Sequence, residues 1–252
     1  MLLLWSMRFF VLLGMAVSFV AFPAMANADP ASTQLIVVSA AKQSDQTATL
    51  TAYQRQGTTW RPIIGPALAH LGTLGMGVPA DNVSRTPMGT FRLDQAFGRQ
   101  ANPGTAMPYF RSTQQDWWDE NPSSPTYNTH VRSSTSPGGD SENLYDSGPV
   151  YDYAVNIAHN PTRTPGRASG MFLHVTDGQP TQGCVATDRN TMIALLRWLD
   201  PKQTPTISIG VNVPAPTSGS APVVPAGDLP GRDLLPSWLL DLIATVQRML
   251  PV

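Results

Sequence analysis

The chain has 252 residues, a net charge of −1, one cysteine, 24 prolines and 13% charged residues, against roughly 25% charged in an average globular protein. Such a surface is solvated largely by Ser, Thr, Asn, Gln and backbone, which suits an extracellular protein. With no Lys/Arg cluster it lacks the basic face that a nucleic-acid binder or a polybasic membrane tether requires.

The first element is a leader. Arg8 precedes an uncharged run from Phe9 to Phe22, and Ala26-Asn27-Ala28 forms a small-x-small cleavage pattern before Asp29. Residues 1–28 are read as a signal peptide, with Met7 the more conventional start. The competing reading, an uncleaved anchor, needs about 20 apolar residues, which Met1–Phe22 supplies if translation starts at Met1. Export places the protein in the cell envelope or beyond, outside the cytoplasmic membrane. There the lone Cys184 has no intramolecular partner, so it is buried, paired between chains, or chemically used.

Residues 29–212 read as the main domain. Gln34–Ala40 is an apolar strand and Ala48–Arg55 a loosely alternating one; Gln56-Gly57 turns the chain into a returning strand over Thr58–Ile64. Between Gly65 and Thr90 glycine and proline are too dense for a long helix, and Thr86–Leu93 is a turn feeding a short strand. Residues 98–149 are polar and aromatic and read as a long loop, unusual inside a compact domain. Trp117, Trp118, Tyr127, Asn128 and Tyr153 either wall a substrate cleft or pin this loop onto the sheet. Strands follow at Tyr151–Ala158 and Met171–Val175. A helix over Asp188–Leu199, with Thr187 as its N-cap, carries Met192, Leu195, Leu196 and Leu199 as one apolar stripe. Asp200-Pro201 ends it before a strand at Thr206–Gly210. The expected fold is mostly β (α+β), β-sandwich-like, with one core helix packed on the sheet.

Residues 213–231 are a Pro/Ser/Gly linker. Within 232–252, Leu235, Trp238, Leu239, Leu242, Val246 and Met249 share one face of an amphipathic helix. At about 15 residues it spans roughly 22 Å, too short for a bilayer; its face suits docking on this domain, a second copy, or a protein partner.

The chemistry concentrates in Phe172–Ala186 (FLHVTDGQPTQGCVA). His174 ends an apolar strand and Cys184 follows ten residues later. If the chain doubles back at Asp177–Pro180, the two stand opposite each other, and an imidazole beside a thiol both removes its proton and lowers its pKa. Gly183 permits an unusual φ that could aim the Gly183 and Cys184 N–H groups at an oxyanion, with the Thr181 hydroxyl as an extra donor. A core histidine and a small buried cysteine are the bland readings of the same residues. His70, His130 and His159 show no metal-ligand spacing with Cys184, and no motif calls for a cofactor.

The stretch F-L-H-V…P-T-Q-G-C-V-A, followed by M-x-x-L-L-x-W-L, resembles the L,D-transpeptidase catalytic domain (YkuD-type). Thr86-Pro87-Met88-Gly89-Thr90-Phe91 is similar to that family's T-P-x-G-x-F. Trp117-Trp118, Tyr127-Asn128, Ser141-Glu142-Asn143-Leu144 and Tyr151-Asp152-Tyr153 resemble a variant group within it. The resemblance spans about residues 34–210. It implies a cysteine acyltransferase that attacks an L,D-peptide bond of a peptidoglycan stem, expels the terminal D-residue, and passes the acyl group to a neighbouring stem's amine. Cys184 would be the nucleophile, His174 the base and later the acid, and Gly183 and Cys184 amides the oxyanion hole; the family often orients the histidine with a backbone carbonyl. Gln182 and Ala186 stand where most members carry His and Arg or Asn. These departures leave open hydrolysis by the same pair, an L,D-carboxypeptidase outcome, and a non-catalytic wall-binding or assembly module.

Overall fold

The computed structural model describes residues 32–217. The leader, the remainder of the 213–231 linker and the 232–252 helix lie outside the described residues.

The chain opens with β1 (Gln34–Ala40), β2 (Thr47–Gln56) and β3 (Thr59–His70), then the short β4 (Met76–Gly77) and β5 (Thr86–Pro87), and the long β6 (Gly89–Gly98). β1 lies between β2, antiparallel, and β14 (Thr206–Val211), parallel. A strand with neighbours on both edges and cover on both faces reads as a continuous apolar run. Ile36 and Val38 enter the main core, while Leu35 and Val37 pack with Trp60 on the opposite face. β3 continues six residues past the expected Ile64. Its pairing with β2 shifts register near Leu50–Tyr53, and at this irregularity Gly65 takes φ +94° where a Cβ would meet the Leu50 carbonyl oxygen at 2.5 Å. β13 (Val185–Thr187) pairs only with Ala69 and His70, so the earlier part of β3 is an edge, where Pro62 and Pro66 are tolerated.

The segment 98–149 is not a structureless loop. It holds β7 (Tyr109–Arg111), β8 (Asp116–Asp119), β9 (Thr129–Arg132) and β10 (Glu142–Asn143), the last three forming a separate sheet in the order β10-β8-β9. The expected strand start at Tyr151 is also corrected. Gly148–Tyr151 is a 3-10 turn with Pro149 in its first turn, and β11 begins at Ala154 and ends at Ile157.

β12 (Phe172–Val175) and β13 (Val185–Thr187) complete a nine-stranded main sheet, β11-β12-β13-β3-β2-β1-β14-β6-β7. β11 pairs both β12 and β6, so the sheet closes on itself and encloses an aliphatic core. The helix α1 (Arg189–Trp198) follows β13, and Met192, Leu195, Leu196 and Leu199 are fully buried in that core. Its N-cap is Asp188 and not Thr187. The Asp188 carboxylate accepts from the Asn190 and Thr191 amides, whereas the Thr187 hydroxyl donates to the Leu68 carbonyl. The expected mostly β domain with one core helix is what the structure has.

Candidate active site

β12 and β13 are neighbouring parallel strands, with Leu173 beside Val185 and His174 beside Ala186. The chain therefore does not double back as a hairpin after His174. It leaves β12, crosses a loop over residues 176–184, and re-enters in the same direction. Cys184 consequently sits at the level of Phe172, whose N–H donates to Sγ at 3.3 Å. Alternation along the strands puts Phe172 and His174 on one face, and Cys184 and Ala186 likewise. His174, Cys184 and Ala186 line one cavity of about 630 Å³.

The crossover loop is pinned at both sides. The Thr181 amide donates to the Leu71 carbonyl, and the Thr73 amide donates to the Thr181 carbonyl. Two hydroxyls, Thr181 at 2.7 Å and Thr86 at 3.2 Å, donate to the Cys184 carbonyl. Thr86 is fully buried in β5 and accepts in turn from the Gly72 amide at 2.8 Å. The Cys184 backbone is thus clamped by the threonine of T-P-x-G-x-F, a job the sequence did not disclose. Gly183 adopts φ +135°, and a Cβ there would stand 2.7 Å from Met171 Cε and 3.1 Å from the Arg85 carbonyl oxygen, so this turn requires glycine. The Gly183 amide donates to the Thr181 hydroxyl at 3.1 Å. Two of the groups expected at an oxyanion are therefore bonded to each other, shaping the turn.

His174 is buried, and its Nδ1–H donates to the Val175 carbonyl at 2.8 Å. A carbonyl can only accept, so this bond fixes the tautomer with Nε2 bare. Val175 supplies the orienting group that sequence left unnamed. Burial pushes the imidazole down to about 4, against support from the Val175 and Val150 carbonyls. Burial likewise drives the Cys184 thiol far above its ordinary value, and Glu142 adds to the rise. The thiol donates to the Gly170 carbonyl at 3.3 Å.

None of the five residues expected to wall the cleft lines this cavity. Trp118 packs edge-on against Phe172 at 5.0 Å and donates to Asn128 Oδ1, which also accepts from the Gly170 amide. Trp117 donates to the Ser133 carbonyl. The Tyr127 hydroxyl donates to Asp81, and Tyr153 lies under the Arg189 guanidinium. They pin the 98–149 segment to the sheet and steady Gly170 behind the thiol, which is the second of the two readings. What that segment contributes to the cavity is Glu120, Pro122, Asp140 and Glu142. Burial raises Glu120 to about 8, and Glu142 adds to the rise. The Glu142 carboxyl, also raised by burial, accepts from the Tyr151 hydroxyl at 2.8 Å and the Ser147 hydroxyl at 3.1 Å.

No curated protein matches the chain. Among solved structures, the helical cell shape determining protein Pgp2 from Campylobacter jejuni is similar at 13% identity and a TM-score of 0.31. The match covers 75% of this chain and 51% of that one, so the chain spans about half the length of that protein. The family model of the L,D-transpeptidase catalytic domain (YkuD) matches residues 33–211. These residues comprise the whole closed sheet, α1 and both walls of the cavity, and the chain belongs to the YkuD L,D-transpeptidase catalytic domain family.

Proposed function

We propose that the chain is an exported cysteine acyltransferase that crosslinks peptidoglycan stem peptides by L,D-transpeptidation. The observation that carries the reading is the opening of Cys184 and His174 into one cavity from adjacent parallel strands of a YkuD domain. In the first half-reaction the Cys184 sulfur attacks the carbonyl carbon of the L,D-peptide bond. The S–H bond breaks as His174 Nε2 takes the thiol proton, a thioester forms, the C–N bond breaks, and His174 passes that proton to the departing amine. In the second, a neighbouring stem's amine attacks the thioester and gives a proton to His174 Nε2; the amide forms, the C–S bond breaks, and the released sulfur takes that proton back as the thiol. The acidic side chains lining the cavity are Asp81, Glu120, Asp140, Glu142 and Asp177, with no Lys or Arg among its described lining residues. A negative cleft favours entry of a substrate that carries amino groups.

The test is intact mass after brief exposure to a disaccharide-tetrapeptide. Wild type should gain a tripeptide-sized acyl group and release free D-alanine, while Cys184→Ala gains nothing. Free tripeptide in place of crosslinked dimer would redirect the reading to carboxypeptidase chemistry. Folded, reduced protein with no adduct, sedimenting with sacculi whether or not Cys184 is present, would replace it with a binding module.

A further inference from the structure

Crosslinking by Cys184 and His174 leaves one proton without a receiver. A stem amine in water is an ammonium with an ordinary pKa of about 10.4, and its nitrogen sheds two protons on becoming an amide. His174 Nε2 takes the one released on attack. The other has to leave first, because an ammonium has no lone pair with which to attack. Glu120 stands where that proton can go. It directly follows β8 and lines the same cavity as Cys184 and His174. Its carboxyl packs on the bare Cα of Gly170, where a Cβ would collide with Glu120 Oε1. The carbonyl of that same Gly170 accepts from the Cys184 thiol at 3.3 Å. One glycine therefore separates carboxyl from sulfur, and its missing side chain lets the carboxyl come this close.

The other acids of the cavity are placed differently. Glu142 accepts the Ser147 and Tyr151 hydroxyls, one on each oxygen. Asp81 accepts the Tyr127 hydroxyl and the Gly166 and Ala168 amides. Asp140 and Asp177 are exposed. We infer that Glu120 receives the ammonium of the acyl acceptor and takes its first proton, so that acceptors carrying a primary amine are selected. This rests on the acyl-transfer reading and deepens it by giving the acceptor a place. One N–H bond of the ammonium breaks and an O–H bond forms on Glu120, leaving a neutral amine and a neutral carboxyl. The amine's lone pair then attacks the thioester, its next proton passes through His174 to the sulfur, and Glu120 returns its own proton to solvent.

Charge supports the assignment. Burial raises Glu120 to about 8, and Glu142 from β10, Asp140 and Asp81 add to the rise, against a hydrogen bond from Ser169. Tyr127, Tyr151 and Cys184 also face it. An ordinary carboxylate at 4.5 is about six powers of ten too weak to deprotonate an ammonium; at about 8 the gap falls to about two. A cation entering among these acids also relieves their mutual repulsion. A carboxylate has room for about four hydrogen bonds, so Glu120 can hold an ammonium while Ser169 stays in place.

Two readouts test it. The first needs no reaction at Cys184: a disaccharide-tripeptide, with no L,D-bond left to break, is titrated at pH 8 with its stem amine free or acetylated. Wild type should bind the free amine about tenfold or more tighter than the acetylated form, and Glu120→Gln should abolish that preference. The second starts from the acyl-enzyme and compares two acceptors, the same free amine and hydroxylamine, which is already neutral at pH 7. The amine-to-hydroxylamine ratio of thioester cleavage should fall about tenfold or more in Glu120→Gln. In wild type the amine reaction should rise as Glu120 ionises around pH 8; in the variant that rise moves toward about 10.4, the ammonium's own value. Equal binding of the two tripeptides by wild type, a preference that survives Glu120→Gln, or an unchanged ratio would overturn the assignment. An acyl-enzyme on wild type with an unchanged ratio in Glu120→Gln removes the role of Glu120 alone. A preference lost in Glu120→Gln with no acyl-enzyme on wild type removes the acyl-transfer reading alone.

Discussion

The closed main sheet and the small sheet β10-β8-β9 are stabilised in different ways. The main sheet encloses aliphatic side chains, Ile36, Val38, Leu50, Leu71, Leu173, Leu195 and Leu196 among them, and burial of this kind is non-directional. The small sheet turns on two buried carboxylates. Asp119, fully buried, accepts from the Ser124, Thr126 and Ser141 hydroxyls and the Asn121 amide. Asp116 accepts from Thr113 and His130. The first tolerates exchange of one apolar residue for another; the second depends on particular donors. Cys184 lies on the seam, since it packs in one cluster with Trp118 of the small sheet and Phe172 of the large one.

Two truncations sharpen this contrast. Leu196→Ala opens a cavity in the main core and should cost about 2–5 kcal/mol, lowering the melting point and exposing main-sheet amides to hydrogen exchange throughout. Asp119→Ala leaves several part-buried donors without their acceptor, at about 1–3 kcal/mol, and its faster exchange should be confined to residues 112–147. If Asp119→Ala loosened the main sheet as widely as Leu196→Ala, the two sheets would be one cooperative unit and the contrast would fail.

A finer test uses pH. His174 is held neutral, at about 4 in the folded protein against an ordinary 6.5. The unfolded chain therefore binds more protons between those values, and the stability His174 confers above pH 6.5 is lost as pH falls toward 4, by up to about 3 kcal/mol. Glu120 on the small-sheet side runs the other way. Its carboxyl stands at about 8 against an ordinary 4.5, so the stability it confers below pH 4.5 is lost as pH rises through 8. Its effect should be the smaller, because the residue is half-buried on a cavity wall and water screens it. Thermal melts should show His174→Gln flattening the slope between pH 4 and 6.5. Glu120→Gln should raise the melting point above pH 8 and leave it nearly unchanged at pH 4.5.

The same contrast explains what was legible in the sequence. β1, β12 and α1 could be read because an apolar run or a 3.6-residue stripe is the direct imprint of burial by carbon. β8 could not: its sequence, Asp-Trp-Trp-Asp, puts carboxylates at two of its three buried positions. They read as loop until their donors, which lie up to 22 residues away along the chain, are placed around them. At the site, Cys184 and His174 could be named from residue chemistry and Gly183 from its freedom of φ. The parallel register that sets Cys184 beside Phe172 could not, because ten intervening residues fit a hairpin as well as a crossover. Thr86 and Glu142 act on Cys184 from 98 and 42 residues away, and no local pattern carries that information.

The parallel pairing of β1 with β14 has a mechanical consequence. Six registered pairs, from Leu35 with Thr206 to Ala40 with Val211, lie between the point where the chain enters the domain and the point where it leaves, roughly 20 Å apart along the strands. Tension applied through the two flanking segments pulls β1 and β14 in opposite directions along their common axis. The load falls on the whole ladder in shear, so its bonds must yield together. Stretching single molecules by handles at residues 33 and 211 should therefore require a higher force than stretching by handles at residues 34 and 206. Those two positions share one end of the pair, and from there the bonds open in succession, like a zip.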